Sequence, residues 1–89
     1  MKVNSDFILR EIAGEHIIIP TGKTVLDFNG LITVNDVGVF LWKKLQNEIS
    51  MDELVNAVLK EYDVPEKVAR EDLKDFVDRL IKANILEKD

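Results

Sequence analysis

The sequence contains no cysteine, one histidine, two prolines and four glycines, the last isolated at Gly14, Gly22, Gly30 and Gly38. Without cysteine there is no disulfide framework, no thiolate-held zinc and no thiol nucleophile. Scattered glycines build no phosphate-cradling loop, so nucleotide binding has no support. No apolar run approaches the roughly 20 residues that a membrane-spanning helix needs. Residues 1–6 hold one lysine and no apolar stretch, which excludes a secretory signal and reads as the plain start of a cytoplasmic protein. Positive charge is also short: 12 Lys and Arg stand against 17 Asp and Glu, a formal net charge of -5. Such a balance gives no general attraction to a phosphate backbone, the term that supplies most of the affinity in nucleic-acid binding.

What is present is apolar enough to fold. At 89 residues and 46% hydrophobic content, the chain is too rich in apolar groups for a disordered polymer and too short for two cores, so residues 1–89 form one domain. Composition divides it near Asn35. Upstream, residues 7–12 and 16–20 flank Ala13-Gly14-Glu15 and read as a β-hairpin, ended by Pro20 and Gly22. Residues 25–28 and 31–34 are separated by Asn29-Gly30, the pair best suited to a two-residue turn, and read as a second hairpin.

Downstream, apolar residues return at helical spacing in three segments. Asn35 caps the first, which runs from Asp36 to about Gln46 with Val37, Phe40, Leu41 and Leu45 inward, Trp42 flanking and Gly38 allowing close approach to the sheet. Ser50-Met51-Asp52-Glu53 is a capping-box sequence that starts the second helix, whose inner face is Leu54, Val55, Val58, Leu59 and Tyr62. Pro65 suits the first position of the third, which continues to about Ala83 along Ala69, Leu73, Phe76, Val77, Leu80 and Ile81. Asn84 can take a left-handed conformation, with Ile85 folding back on Leu80. The fold class is α+β: an N-terminal antiparallel sheet of three to four strands followed by three helices.

Candidates for chemistry are few. His16 lies in a strand beside Glu15, where a histidine is ordinarily exposed or hydrogen-bonded. Ser5 has no placed base, and Ser50 serves as a cap; its Glu-Ile-Ser-Met setting also lacks the Asp-Ser-Leu context of an acyl carrier protein. Asp72, Asp75 and Asp78 resemble a metal cluster, but Lys67, Arg70, Lys74, Arg79 and Lys82 are interleaved with five acidic residues, the pattern of a solvated helix face. No catalytic residue, metal ligand or cofactor emerges. A binding module remains: an exposed strand edge offers unpaired backbone groups that a peptide can satisfy by adding a strand.

Phe7-x-Leu9-Arg10-x-Ile12-Ala13-Gly14-Glu15, Ile17-Ile18-Ile19-Pro20-x-Gly22, Phe28-Asn29-Gly30-Leu31-Ile32-x-Val34-Asn35-x-x-Gly38, and Leu41-Trp42 with Leu45 together resemble the PqqD family. So do Asp52-Glu53-Leu54-Val55, Glu61-Tyr62-Asp63-Val64 and the closing Leu80-x-x-Ala83-Asn84-Ile85-Leu86. The pattern departs at Asn84, where family members often carry Gly, and at Val34, where Leu is more usual. The resemblance implies a winged helix-turn-helix-like domain without catalysis, a recognition element for ribosomally made, post-translationally modified peptides. It would bind a precursor's leader as an added strand between the third strand and third helix. The leader would then pass to a modifying enzyme, in pathways like that for pyrroloquinoline quinone a radical S-adenosylmethionine protein.

Mapped onto this chain, the strand is Leu31, Ile32, Thr33 and Val34, and the helix side is Arg70, Leu73, Lys74 and Val77. Leu73 and Val77 also belong to the inward stripe, and Arg70 and Lys74 can either hold an acidic leader or pair with Glu66, Glu71 or Asp78. The same strand edge can pair with a second copy to give a homodimer. A winged-helix DNA-binding regulator is the alternative reading, disfavoured by a third helix with five basic and five acidic residues.

Overall fold

The computed structural model describes residues 1–22 and 32–87. The first hairpin is β2 (Phe7–Ile12) and β3 (Glu15–Pro20), preceded by a short β1 (Lys2–Val3). Its register pairs Phe7 with Pro20 and Ile12 with Glu15, so Glu15 belongs to the strand and the turn is only Ala13-Gly14. Both turn residues have positive φ, 54° and 82°, as a two-residue hairpin connection of matching twist demands. Glycine adopts that geometry freely, whereas Ala13 does so against the clash of its Cβ with the backbone.

β4 (Ile32–Val34) pairs antiparallel with β3, placing Val34 opposite His16 and Ile32 opposite Ile18. The sheet order is β2-β3-β4, so β4 has a second edge with no strand on it among the described residues. The expected strand at 25–28, its Asn29-Gly30 turn and Leu31 lie outside the described residues.

Three helices follow: α1 (Asp36–Lys44), α2 (Met51–Glu61) and α3 (Glu66–Lys82). Local chemistry sets their ends. The Gly38 backbone N–H donates to Asn35 Oδ1 at 2.9 Å, satisfying one of the orphan donors of the first turn. At α2 the Glu53 N–H donates to Ser50 Oγ at 3.1 Å while the Ser50 N–H donates to Glu53 Oε1 at 3.2 Å, the reciprocal capping box expected from sequence. Pro65 stands one place earlier than expected, as the extended cap residue of α3. At the other end Asn84 has φ 59°, its N–H donates to the Ile81 carbonyl, and the Ile85 N–H donates to the Leu80 carbonyl at 2.8 Å. These two bonds are the Schellman ending. α1 closes about two residues sooner than its apolar period suggests, at Lys44.

One feature had no signal in the sequence. β1 pairs antiparallel with β5 (Leu86–Glu87), Val3 opposite Leu86. The Val3 N–H also donates to the Leu45 carbonyl at 2.9 Å and the Asn4 N–H to the Ile85 carbonyl at 2.7 Å. The first residues therefore bind the end of α1 to the end of α3, and Met1, Val3, Ile85 and Leu86 are all buried.

The core gathers Phe7 and Ile18 from the hairpin, Leu41, Trp42 and Leu45 from α1, Leu54, Val55 and Val58 from α2, and Ala69, Leu73, Val77 and Leu80 from α3. Trp42 takes the flanking core position. Val37 differs from the expected stripe: it is 38% exposed, because α1 presents Gly38, Leu41 and Trp42 to the interior instead. No helix of the described residues is long and apolar enough to cross a membrane.

Candidate functional site

The candidate site is a recess among the three helices, and a glycine next to β4 shapes it. An ideal Cβ built on Gly38 would lie 2.8 Å from Val34 Cβ and 3.5 Å from Phe76 Cε1. Only the missing side chain allows the first turn of α1 to approach β4 and the ring of Phe76 so closely. Beyond this contact α1, α2 and α3 surround a recess of about 370 Å³. Buried Leu41 and Leu73 contribute to its lining, and Val37 and Val64, 38% and 36% exposed, give it apolar groups reaching solvent. Tyr62 also lines it, held edge-on to Phe40 with ring centroids 5.5 Å apart.

On α3 the recess is bordered by Asp72, Asp75, Phe76 and Arg79. Phe76 is half-buried and the three charged residues are exposed. At about 100° per residue these four occupy one flank of the helix, while Lys74 lies about 160° and Arg70 about 120° around the axis from Phe76.

The expected site residues therefore divide. Ile32, Thr33 and Val34 form β4, with Thr33 exposed, Ile32 half-buried and Val34 buried; Leu31 lies outside the described residues. Leu73 and Val77 are 2% and 3% exposed and serve the core, although Leu73 also lines the recess. Arg70 does not line the recess. Its Nη1 donates to Asp52 Oδ1 at 3.0 Å and its Nε to Glu66 Oε2 at 3.1 Å, the surface pairing left open in the sequence. The Asp52 hydrogen bond above all, then that to Glu66, holds the guanidinium above its ordinary pKa. Lys74 borders a second recess on the far flank of α3, with Met1, Ser50, Met51 and Val77. The recess is thus bordered by Phe76, Asp72, Asp75 and Arg79, and neither Arg70 nor Lys74 lines it. The spacing four and three residues on either side of Phe76 marks this flank, but only once Phe76 is known to lie beside Gly38 and the recess.

His16 is half-buried in β3, and among the described residues no group of three or more His, Asp or Glu side chains is placed to hold a metal ion. Nor does any buried side-chain nitrogen or oxygen lack a hydrogen-bond partner among the described residues. The site offers backbone groups at a sheet edge, an apolar recess and charge on its border.

A small antiparallel sheet followed by three helices defines a winged helix-turn-helix-like α+β class. Within it, the family described as Coenzyme PQQ synthesis protein D (PqqD) matches residues 15–86, and the chain belongs to that family. The fold is also that of a solved structure described as TbiB1 in complex with the TbiA(beta) leader peptide. That chain is 25% identical, with a TM-score of 0.78 over 100% of this chain and 98% of its own. No curated protein matches the sequence significantly.

Proposed function

We propose that the chain is a recognition element without catalysis, which binds the leader of a ribosomally made precursor peptide by strand addition on β4 and presents it to a modifying enzyme. A radical S-adenosylmethionine protein is the enzyme class this reading favours. The observation that carries it is a β4 edge with no strand on it among the described residues, together with an apolar recess, in a fold shared with a leader-peptide complex. A strand laid on β4 gains main-chain hydrogen bonds from the edge, and alternate side chains turn toward α3. The recess can then take one of them. At about 25 cal/mol per Å², burying a leucine-sized side chain there contributes about 1.5–3 kcal/mol, enough to select among peptides that the backbone alone would bind equally.

The test is a titration of the full chain with the leader encoded beside its gene, and with the same leader N-methylated at alternate residues. Saturable binding is expected, lost when methylation falls on the residues facing β4 and retained when the register shifts by one. Equal affinity for both methylated series would exclude strand addition, and absence of binding to the unmodified leader would remove the reading altogether. DNA-binding predicts instead a salt-dependent gel shift, which the charge-balanced α3 disfavours.

A further inference from the structure

We infer that the site selects a cationic segment: a peptide that seats one apolar side chain in the recess and carries Lys or Arg within two residues of it, held by Asp72 and Asp75. The inference rests on the peptide-binding reading above and adds the chemistry of the ligand. It differs from the option, left open in the sequence, that Arg70 and Lys74 hold an acidic leader.

The charges bordering the recess are Asp72, Asp75 and Arg79. Arg70 is already engaged by Asp52 and Glu66 on another flank. Neither Asp72 nor Asp75 makes an ion pair among the described residues, and Arg79, one turn from Asp75, pairs with neither. Residues three apart on a helix are neighbours, so both carboxylates can face one cation.

A cationic side chain on the peptide fits the geometry of an added strand. Side chains on one face recur about every 6.8 Å, so a residue two places from an apolar anchor lies on the same side of the peptide as the anchor. The stems of Lys and Arg can also lie along Val37 and Val64 while their heads stay in water, where a shorter charged group could not. Arg79 stands about 6 Å along the axis from Asp75 and opposes a second cation there, so the order of charges in the peptide favours one direction of binding. The net charge of -5 steers a cation toward the whole molecule and an acidic segment away from it.

Selection of a random dodecapeptide display library on the immobilised full chain tests this. Recovered peptides should be enriched in Lys or Arg within two residues of Leu, Ile, Met or Phe. The D72K/D75K variant should lose or invert that enrichment, and R70E/K74E should keep it. For one recovered peptide, D72N and D75N should each weaken binding about two- to fivefold, an effect that shrinks in about 0.5 M salt. Both carboxylates are exposed, so circular dichroism should show these variants folded. Peptides recovered without basic enrichment, or an enrichment abolished by R70E/K74E and not by D72K/D75K, would overturn the selectivity while leaving peptide binding intact. Failure to recover any peptide specific to the chain would overturn both.

Discussion

Gly38→Ala is the substitution whose effect the geometry fixes most tightly. The added methyl would sit 2.8 Å from Val34 Cβ, a separation that no side-chain rotation can relieve, because Val34 Cβ is fixed to its own backbone. Either β4 or the first turn of α1 must move. Overpacking of this kind costs about 1–3 kcal/mol. Replacing glycine by alanine in a helix returns at most about 1 kcal/mol, and less in a first turn. The expected net loss is about 1–2 kcal/mol, or roughly 4–15 °C in Tm for a domain of this size. Urea unfolding followed by Trp42 fluorescence is a suitable assay, since this sole tryptophan is 5% exposed. The midpoint should fall with an unchanged slope. Val34→Gly removes the opposing Cβ, so a cycle with Gly38→Ala should give a coupling of about 1 kcal/mol in favour of the double variant. A midpoint for Gly38→Ala at or above that of the parent, or additive energies in the cycle, would refute the close contact.

Two further substitutions probe the frame that holds the site. Ala13→Asn should stabilise the chain by about 0.5–1 kcal/mol, because asparagine tolerates the positive φ that Ala13 adopts at 54°; thermal denaturation reads this as a rise of a few degrees. Ser50→Ala should cost about 1 kcal/mol by removing the acceptor of the Glu53 N–H, and threonine at the same position should restore most of it.

The helix ends were legible because their chemistry is local. Asn35, Ser50 with Glu53, and Asn84 each act on backbone groups within four residues, so spacing alone places them. Apolar period picked out the inward faces of α2 and α3, yet it assigned Val37 to the interior. In the structure α1 presents Gly38, packed close to Val34, to the interior, and Val37 beside it is 38% exposed. The β1 and β5 pair was illegible for a different reason: two-residue strands show no alternation, and their partners lie at opposite ends of the sequence.

The elements around the candidate site were partly legible. The strand Ile32–Val34 followed from the residues and the resemblance. The border of the recess did not, since the apolar stripe of α3 has charged residues on both sides, Arg70 and Lys74 on one and Asp72 and Asp75 on the other. Which side borders the recess is decided by the way three helices pack, and periodicity carries no information on that choice. Asp72 and Asp75 stood out in the sequence only as part of a solvated face. Beside the ring of Phe76 they become the border of the recess.

The central claim, that a peptide adds to β4 and lies against this flank of α3, is tested most directly by amide NMR on the full chain titrated with the leader encoded beside its gene. The account predicts large shifts at Ile32, Thr33 and Val34 and along Asp72, Asp75, Phe76 and Arg79, with slowed hydrogen exchange at the β4 amides that point away from β3. Saturable binding whose shifts centre on Arg70 and Lys74, with β4 exchange unchanged, would contradict it.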